Sequence, residues 1–177
     1  MTRIIAGFAG IGKTTLAKKY KNVLDLEAIL YKYSLENTES LGLEAIETIK
    51  GERSVADKKP NPDWPDNYIA AIKNNINKYD YILVWCHPEE ILPHFDNSGI
   101  DYELFIPTID ALDEYRQRFI NRGNSEEFVN HVSSKESYDM RLPQFKAIGK
   151  PIIFLKTGET LESYFINSKD YPPLLAF

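Results

Sequence analysis

Five short runs of apolar residues divide the chain and predict five buried β-strands. Unbroken apolar runs of this kind are typical of parallel strands that have both faces covered. The clearest run is YILVWC, which ends at the dipeptide His87-Pro88. The five predicted strands are Arg3–Ala6, Asn22–Leu26, Tyr81–Cys86, Tyr102–Ile106 and Pro151–Leu155.

Between these runs the apolar residues recur at a spacing of three or four, which predicts amphipathic helices. The helical segments are about 13–21, 66–76, 89–95, 110–122, 125–132 and 138–148, with a last one after residue 158. We expect Asp66 to cap the helix at 66–76 and Gly123 to end the helix at 110–122. We also expect the helix at 138–148 to be interrupted near Pro143. Ile76 and Ile120 are expected to face inward with their neighbours.

The alternation of strands and helices predicts an α/β fold, with a parallel sheet covered on both faces by helices in three αβα layers. At 177 residues the chain is most simply one domain, spanning 1–177. The segment of about 34–65 is irregular. Its last part, residues 51–65, contains three prolines, and we interpret it as an ordered loop that docks through Trp64.

The stretch GFAGIGKTT connects the first strand to the first helix and matches the pattern GxxxxGK[ST] at every fixed position. Glycines let backbone amides turn inward around phosphate oxygens where a Cβ would collide. Lys13 would reach the β- and γ-phosphates, and the Thr14 hydroxyl would hold Mg²⁺. The residues expected to bind nucleotide are Gly7, Ala9, Gly10, Ile11, Gly12, Lys13, Thr14 and Thr15.

Composition limits the cellular location and the binding partners that we expect for this chain. The net charge of −5 disfavours a broad nucleic-acid footprint. No apolar run approaches about 18 residues, so we expect no membrane partner. A single cysteine, Cys86, rules out an intrachain disulfide. Together with a first strand that begins almost at the N-terminus, it favours a cytoplasmic protein. We keep a homodimer open.

The motif and the five-strand layout resemble the P-loop NTPase superfamily, within it the small adenylate- and shikimate-kinase-like kinases. The chain is similar to small kinase-like proteins of Gram-positive bacteria and their phages. The resemblance implies a sheet order of 2-3-1-4-5, a helical lid at about 108–135, and ATP or another NTP with Mg²⁺ as cofactors. It also implies phosphoryl transfer to a small-molecule acceptor, a nucleoside or nucleotide.

Two acids follow the second strand, where ligands bind in open α/β sheets. The resemblance implies that Asp25 holds Mg²⁺ or orients the attacking hydroxyl, and that Glu27 is a further substrate candidate. The alternative is a strand-ending acid followed by a Glu in the first turn of a helix.

The predicted lid carries arginines, and by resemblance these would stabilise the transferring phosphoryl group. Arg118 and Arg122 share one helix face, whereas Arg116 points elsewhere and is a further substrate candidate. The alternative is a solvated basic face paired with nearby acids such as Glu114. Thr157-Gly158, after the fifth strand, lies where such kinases pass backbone across the adenine.

The central strand departs from the family, because it ends Trp85-Cys86-His87 without an acid. Either Asp25 supplies the metal's second contact, or Glu89 reaches back, or catalysis is weak. His87 at the strand end is a substrate candidate, with a structural role as the alternative. A nucleotide-binding regulator or slow NTPase therefore remains the rival function.

The acceptor site is expected between the second-strand acids and the irregular 34–65 segment. Basic residues there could bind an anionic acceptor such as a monophosphate, or could form a solvated loop. The candidates are Arg53, Lys58 and Lys59. Aromatic residues beside them could stack on a base or simply cover the sheet. These are Tyr31, Tyr33 and Trp64.

Overall fold

The computed structural model describes residues 1–34 and 59–177. Its centre is a parallel sheet of five strands, as the apolar runs predict. These are β1 (Arg3–Gly7), β2 (Val23–Asp25), β5 (Tyr81–Trp85), β6 (Glu103–Pro107) and β7 (Ile152–Leu155). Two shorter strands, β3 (Tyr33–Ser34) and β4 (Lys59–Pro60), pair antiparallel in a separate sheet.

The large sheet has the order β2-β5-β1-β6-β7. In this numbering it differs from the predicted 2-3-1-4-5, because β3 and β4 lie between β2 and β5 in the chain. If only the five strands of this sheet are numbered along the chain, the order across the sheet is second, third, first, fourth and fifth. β1 is central, so its last residue, Gly7, pairs with Trp85 on one side and Phe105 on the other.

Helices flank the sheet, and their buried stripes follow the predicted spacing. The described α-helices are α1 (Lys13–Lys19), α2 (Ile29–Lys32), α3 (Asp66–Asn75), α4 (Leu92–Asn97), α5 (Leu112–Asn121), α6 (Glu126–Ser133), α7 (Lys135–Ala147) and α8 (Leu161–Asn167). A 3₁₀ turn, Ile109–Ala111, precedes α5. Within the described residues no helix is long and apolar enough to cross a membrane.

Three details of the helices differ from the sequence prediction. α7 runs through Pro143 without a break. The proline is exposed, as is Asp139 four residues earlier, so water can satisfy the carbonyl that loses its intrahelical bond. Asp66 is the first helical residue, not the cap, and Pro65 occupies the N-cap position without a side-chain bond.

The third difference concerns two isoleucines predicted to face inward. Ile120 is 49% exposed and Ile76 is 37% exposed. The buried side of α5 is made by Leu112, Tyr115 and Phe119, and Ile120 lies about 100° beyond it. Ile76 follows the last residue of α3, so helical periodicity no longer fixes its direction.

Gly123 ends α5 as predicted, and Ser125 caps the start of α6. Gly123 has a positive φ of 75° and donates its N–H to the Ile120 carbonyl at 2.9 Å. The Ser125 hydroxyl accepts the Phe128 N–H at 3.3 Å. The two motifs turn the chain so that α6 packs against α5.

Residues 172–176 return to the start of β2, a contact that the sequence pattern does not predict. The Asn22 side chain donates to the Pro173 carbonyl and accepts the Leu175 N–H, both at 2.9 Å. Tyr20 forms a β-bridge with Ala176. Asn22 is buried, so these partners satisfy a polar side chain that would otherwise be costly to bury.

Candidate functional site

The 7–15 loop links the carboxyl end of β1 to α1, and its backbone needs glycine at two positions. Gly10 has φ 81° and Gly12 has φ 98°, in the left-handed region that residues with a Cβ seldom adopt. A Cβ on Gly10 would also lie 3.0 Å from Phe119 and 3.2 Å from Tyr115. The loop therefore packs directly on α5 at Gly10.

The Lys13 side chain folds back along this loop. Its Nζ donates to the Gly7 carbonyl at 2.8 Å and to the Phe8 carbonyl at 3.0 Å. Both acceptors are neutral, and within the described residues Lys13 forms no ion pair with a carboxylate. The ammonium is thus held beside the loop by neutral acceptors, while its charge also acts on the Asp25 carboxyl group and opposes the rise of its pKa.

Thr14 meets both predicted acids at the end of β2. Its Oγ1 lies 2.8 Å from Asp25 Oδ2 and 2.9 Å from Glu27 Oε1. Asp25 ends β2 and Glu27 follows it by two residues, while Thr14 stands in the first turn of α1. The parallel sheet brings these three oxygen-bearing side chains together at its carboxyl edge.

Burial and the neighbouring carboxylate of Glu27 raise the pKa of Asp25 to about 7, against an opposing effect of Lys13 and Thr14. The second oxygen of Asp25, Oδ1, is buried and has no hydrogen-bond partner. A buried carboxylate oxygen without a donor is costly unless a proton or a cation compensates it.

These oxygens fit Mg²⁺, which prefers hard oxygen ligands and commonly keeps one or two carboxylates among them. Thr14, Asp25 and Glu27 supply a hydroxyl and two carboxylates at one point. Over the described ranges, 1–34 and 59–177, no cluster of three or more His, Cys, Asp or Glu side chains forms a metal site. The rest of such a metal's shell would therefore come from water and phosphate.

The strand between β2 and β1 ends without an acid, and the displaced glutamates do not replace it. Glu90 forms an ion pair with Lys32 at 2.5 Å, and Glu89 is exposed. His87 Nδ1 accepts the Glu90 N–H at 3.1 Å. Burial is the largest of the effects that lower the His87 pKa. The exposure of Glu89 and the ion pair of Glu90 with Lys32 favour Asp25 over the two glutamates as the acid of the site.

Aromatic side chains surround the carboxyl ends of β2 and β5. Tyr68 joins the two strands, because its hydroxyl donates to the Leu26 carbonyl at 2.7 Å and accepts the Trp85 N–H at 3.1 Å. Trp64 stacks on Tyr68 with ring centroids 5.4 Å apart and lies 6.4 Å from Trp85. The packing predicted for Trp64 is therefore confirmed, whereas residues 51–58 of the predicted ordered loop lie outside the described residues.

The three arginines predicted on α5 have different surroundings. Arg118 donates to the Gly10 carbonyl at 2.8 Å and pairs with Glu114. Arg122 is exposed just past the end of α5, and Arg116 is half-buried on the same helix. The predicted lid at 108–135 comprises the 3₁₀ turn, α5 and α6, and only Arg118 among its arginines touches the loop. Arg53 and Lys58 lie outside the described residues.

Sequence reasoning missed Arg141 on α7. Its guanidinium contacts the His131 ring nitrogen at 2.6 Å. Its charge contributes to lowering the pKa of His87 and opposes the rise that burial causes in the pKa of Cys86, so Arg141 lies near the carboxyl end of β5. Only the tertiary packing of α7 brings it there, so no local sequence pattern could have identified it.

Comparison with known proteins adds no relative. A scan of the chain against models of protein families finds no match, and a search of curated proteins finds no significant similarity. The functional interpretation therefore depends on the loop, the acids at the end of β2 and the surrounding side chains.

Proposed function

We propose that this protein is an ATP- and Mg²⁺-dependent kinase that transfers a phosphoryl group to a small molecule, a nucleoside or nucleotide. The contact of Thr14 with Asp25 and Glu27 carries the proposal. It brings a hydroxyl and two carboxylates together at the end of β2, and the adjoining loop has a sequence that matches the phosphate-binding pattern. A phosphate-binding loop without such acids beside it could still bind an anion, but it would have no evident group to assist phosphoryl transfer.

The roles of the residues follow from their chemistry. Lys13 would exchange its two carbonyl partners for β- and γ-phosphate oxygens, because a charged acceptor binds an ammonium more strongly than a neutral one. Thr14 and Asp25 would hold Mg²⁺, which neutralises charge on the phosphates when bound. Arg122 is exposed beyond α5 and stays a candidate for the transferring phosphoryl group.

The proton of the acceptor hydroxyl needs a base at the same edge of the sheet. As the acceptor oxygen bonds to the γ-phosphorus, the bond to the β–γ bridging oxygen breaks and the proton passes to a carboxylate. Glu27 is our candidate for this base, because it lies two residues beyond Asp25 and its Oε1 is 2.9 Å from Thr14 Oγ1. Positioned acids and bases of this kind contribute roughly 10²–10⁴-fold to rates.

Support for an aromatic acceptor comes from the rings beside these acids. Trp64, Trp85 and Tyr31 are each half-buried, so none of the three is sealed within the core. Tyr68 links these rings to the acids, because it contacts Tyr31 and Trp64 and its hydroxyl donates to the Leu26 carbonyl between Asp25 and Glu27. A nucleobase is a flat ring of suitable chemistry for such a surface.

The alternative is a nucleotide-binding regulator or slow NTPase that uses no small-molecule acceptor. The end of β5 favours it, because Trp85, Cys86 and His87 supply no carboxylate where the motif usually has one. A cytoplasmic location and a homodimer stay predictions of the sequence under either function.

The test is a screen of nucleosides and nucleoside monophosphates with ATP and Mg²⁺, following ADP and the phosphorylated product. The kinase predicts ADP formation that depends on one acceptor class and is lost in Asp25→Asn. ATP binding with ADP formation that no acceptor accelerates would favour the slow NTPase. Absence of ATP binding would reject both functions.

A further inference from the structure

Two carbonyl groups of the 7–15 loop are held from outside the loop. The Gly10 carbonyl accepts a hydrogen bond from Arg118 at 2.8 Å, and the Ile11 carbonyl accepts the Leu161 N–H at 3.1 Å. One donor belongs to α5 and the other to the first residue of α8. The middle of the loop is therefore oriented by two elements that lie far away in the sequence.

Holding a carbonyl also fixes the direction of the next N–H. In a planar trans peptide unit the C=O and the following N–H point in opposite directions. The peptide bonds on both sides of Ile11 are trans. Arg118 thus aims the Ile11 N–H away from α5, and the Leu161 N–H aims the Gly12 N–H away from α8.

These two amides are free to bind a ligand. Within residues 1–34 and 59–177, neither the Ile11 N–H nor the Gly12 N–H donates a hydrogen bond. Successive backbone N–H groups without partners in a turn can make a concave site for anions. The arrangement matters because a single reversed peptide unit would present a carbonyl lone pair to the anion.

The peptide unit that follows Gly10 depends on a hydrogen bond from outside the loop more than the neighbouring peptide units do. Gly10 has φ 81° and no Cβ, so little within the residue itself resists rotation of the following peptide unit. The Ile11 side chain, by contrast, is fully buried and limits movement on its side. Arg118 supplies the anchor with a charged donor, which makes a stronger hydrogen bond than a neutral one.

The Arg118 guanidinium is itself fixed from two directions. It pairs with Glu114 one turn earlier in α5 and lies 4.6 Å over the Tyr115 ring. The other oxygen of Glu114 accepts the Gly158 N–H at 2.6 Å. Burial acts to raise the Glu114 pKa, but Gly158 and Arg118 outweigh it and leave the pKa below its usual value, so the pair stays ionised.

We infer that Arg118 is a positioning residue, which orients the Ile11 N–H toward a polyphosphate by holding the Gly10 carbonyl, with Glu114 fixing the guanidinium. The inference rests on the proposed nucleotide binding. It differs from direct stabilisation of the transferring phosphoryl group, because it assigns Arg118 to binding of the ground-state anion.

The experiment titrates ¹⁵N-labelled protein with inorganic pyrophosphate and follows backbone amides by NMR and affinity by calorimetry. Arg118→Met keeps a long side chain over Tyr115 but removes the donors. We expect its pyrophosphate affinity to fall about tenfold, as for a lost hydrogen bond to a charged group. The Ile11 amide should lose its ligand-induced shift, whereas the Gly12 amide, anchored through Leu161, should keep it.

Two further variants sharpen the comparison. Arg118→Lys retains a cation and a donor, so its affinity should lie between wild type and Arg118→Met. Lys146→Met removes one positive charge from an exposed site on α7 and should bind as wild type does. Thermal unfolding of each variant identifies any that fails to fold, and Arg118→Lys then carries the test.

Three outcomes would contradict the inference in different ways. Unchanged affinity and an unchanged Ile11 shift in Arg118→Met would overturn the positioning role. Normal binding with a reduced kcat would assign Arg118 to the transfer step instead. Failure of the wild-type protein to bind pyrophosphate or ATP would reject the proposed function, and the inference with it.

Discussion

The Thr14 hydroxyl oxygen lies 2.8 Å from Asp25 Oδ2 while also lying 2.9 Å from Glu27 Oε1. A hydroxyl has one proton to donate, so the second contact requires a proton on one of the carboxyl groups. The Asp25 pKa of about 7, raised by burial and by Glu27, agrees with a proton retained at this point. Without a cation, the two acids and the hydroxyl therefore share a proton near neutral pH.

The first prediction concerns the pH dependence of stability in the absence of Mg²⁺. The Asp25 pKa is raised from 3.8 to about 7 on folding, so the folded state holds the proton more tightly than the unfolded state. Stability from this proton is complete below pH 4 and is lost as pH rises toward 7. Asp25→Asn should reduce this loss by on the order of 2–4 kcal/mol in urea unfolding measured between pH 4 and pH 8.

Asp66→Asn provides the matched control, since Asp66 is an exposed carboxylate at the start of α3. It should keep the pH dependence of the wild-type protein. A parallel pH profile for wild type and Asp25→Asn would show that Asp25 is ionised throughout this range, against the shared proton.

The second prediction concerns the Lys13 side chain. Lys13→Met should weaken Mg·ATP binding about 10–100-fold, because it removes a charged donor from phosphate oxygens. Stability should change little, since only two bonds to loop carbonyls are lost. Lys73→Met, which removes an exposed charge from α3, is the control. Equal ATP affinities of the two variants by calorimetry would count against the loop as the phosphate site.

The third prediction separates backbone strain from packing at Gly10. Gly10→Ala adds a Cβ at φ 81° and within 3.0–3.2 Å of Phe119 and Tyr115. Gly149→Ala adds one at φ 77° with nothing within 4 Å. We expect a loss of about 1–2 kcal/mol for Gly149→Ala from the left-handed backbone alone. Gly10→Ala should cost roughly 1–3 kcal/mol more, because its Cβ overpacks α5.

Denaturant unfolding measures these losses, and ATP binding adds a functional readout. Only Gly10→Ala should weaken ATP binding, because the packing of α5 on the loop changes there. Equal stability losses at the two positions would show that α5 yields to the added methyl group.

The fourth prediction concerns the acceptor. Trp85→Leu keeps an apolar side chain at the carboxyl end of β5 but removes the aromatic face. If a nucleobase stacks there, the KM for the acceptor should rise about 5–100-fold, as the energy of base stacking on an aromatic ring implies. The KM for ATP serves as an internal control and should stay nearly constant. A rise in the KM for both the acceptor and ATP would instead show that Trp85 supports the structure of the whole site.

The strands and the acid site were predictable because parallel sheets impose two simple rules. Buried strands appear as unbroken apolar runs, so Tyr81–Trp85 stands out in the sequence. Residues that follow strands collect at one edge, so Thr14 and Asp25 could be expected to lie close together. Both rules operate over a few residues and need no knowledge of distant contacts.

Contacts that depend on tertiary packing were not predictable. Arg118 and Arg122 look equivalent on a helical projection, yet only Arg118 touches the loop, at Gly10. Arg141 reaches the end of β5 only because of the way α7 packs. Pro143 lies within α7 because its exposed side gives the freed carbonyl access to water. For the two arginines the partner lies outside the local window that sequence patterns describe, whereas at Pro143 the exposure of the helix decides the outcome.

The return of residues 172–176 to Asn22 has a practical consequence for the acid site. Asn22 lies three residues before Asp25, and the tail satisfies both ends of its buried amide. A protease can cleave between residues 172 and 176 only when these bonds open, so the rate of cleavage there reports how often this segment leaves Asn22. Slower digestion in the presence of Mg·ATP would reveal, without any chemical label, that nucleotide binding tightens the strand that carries Asp25.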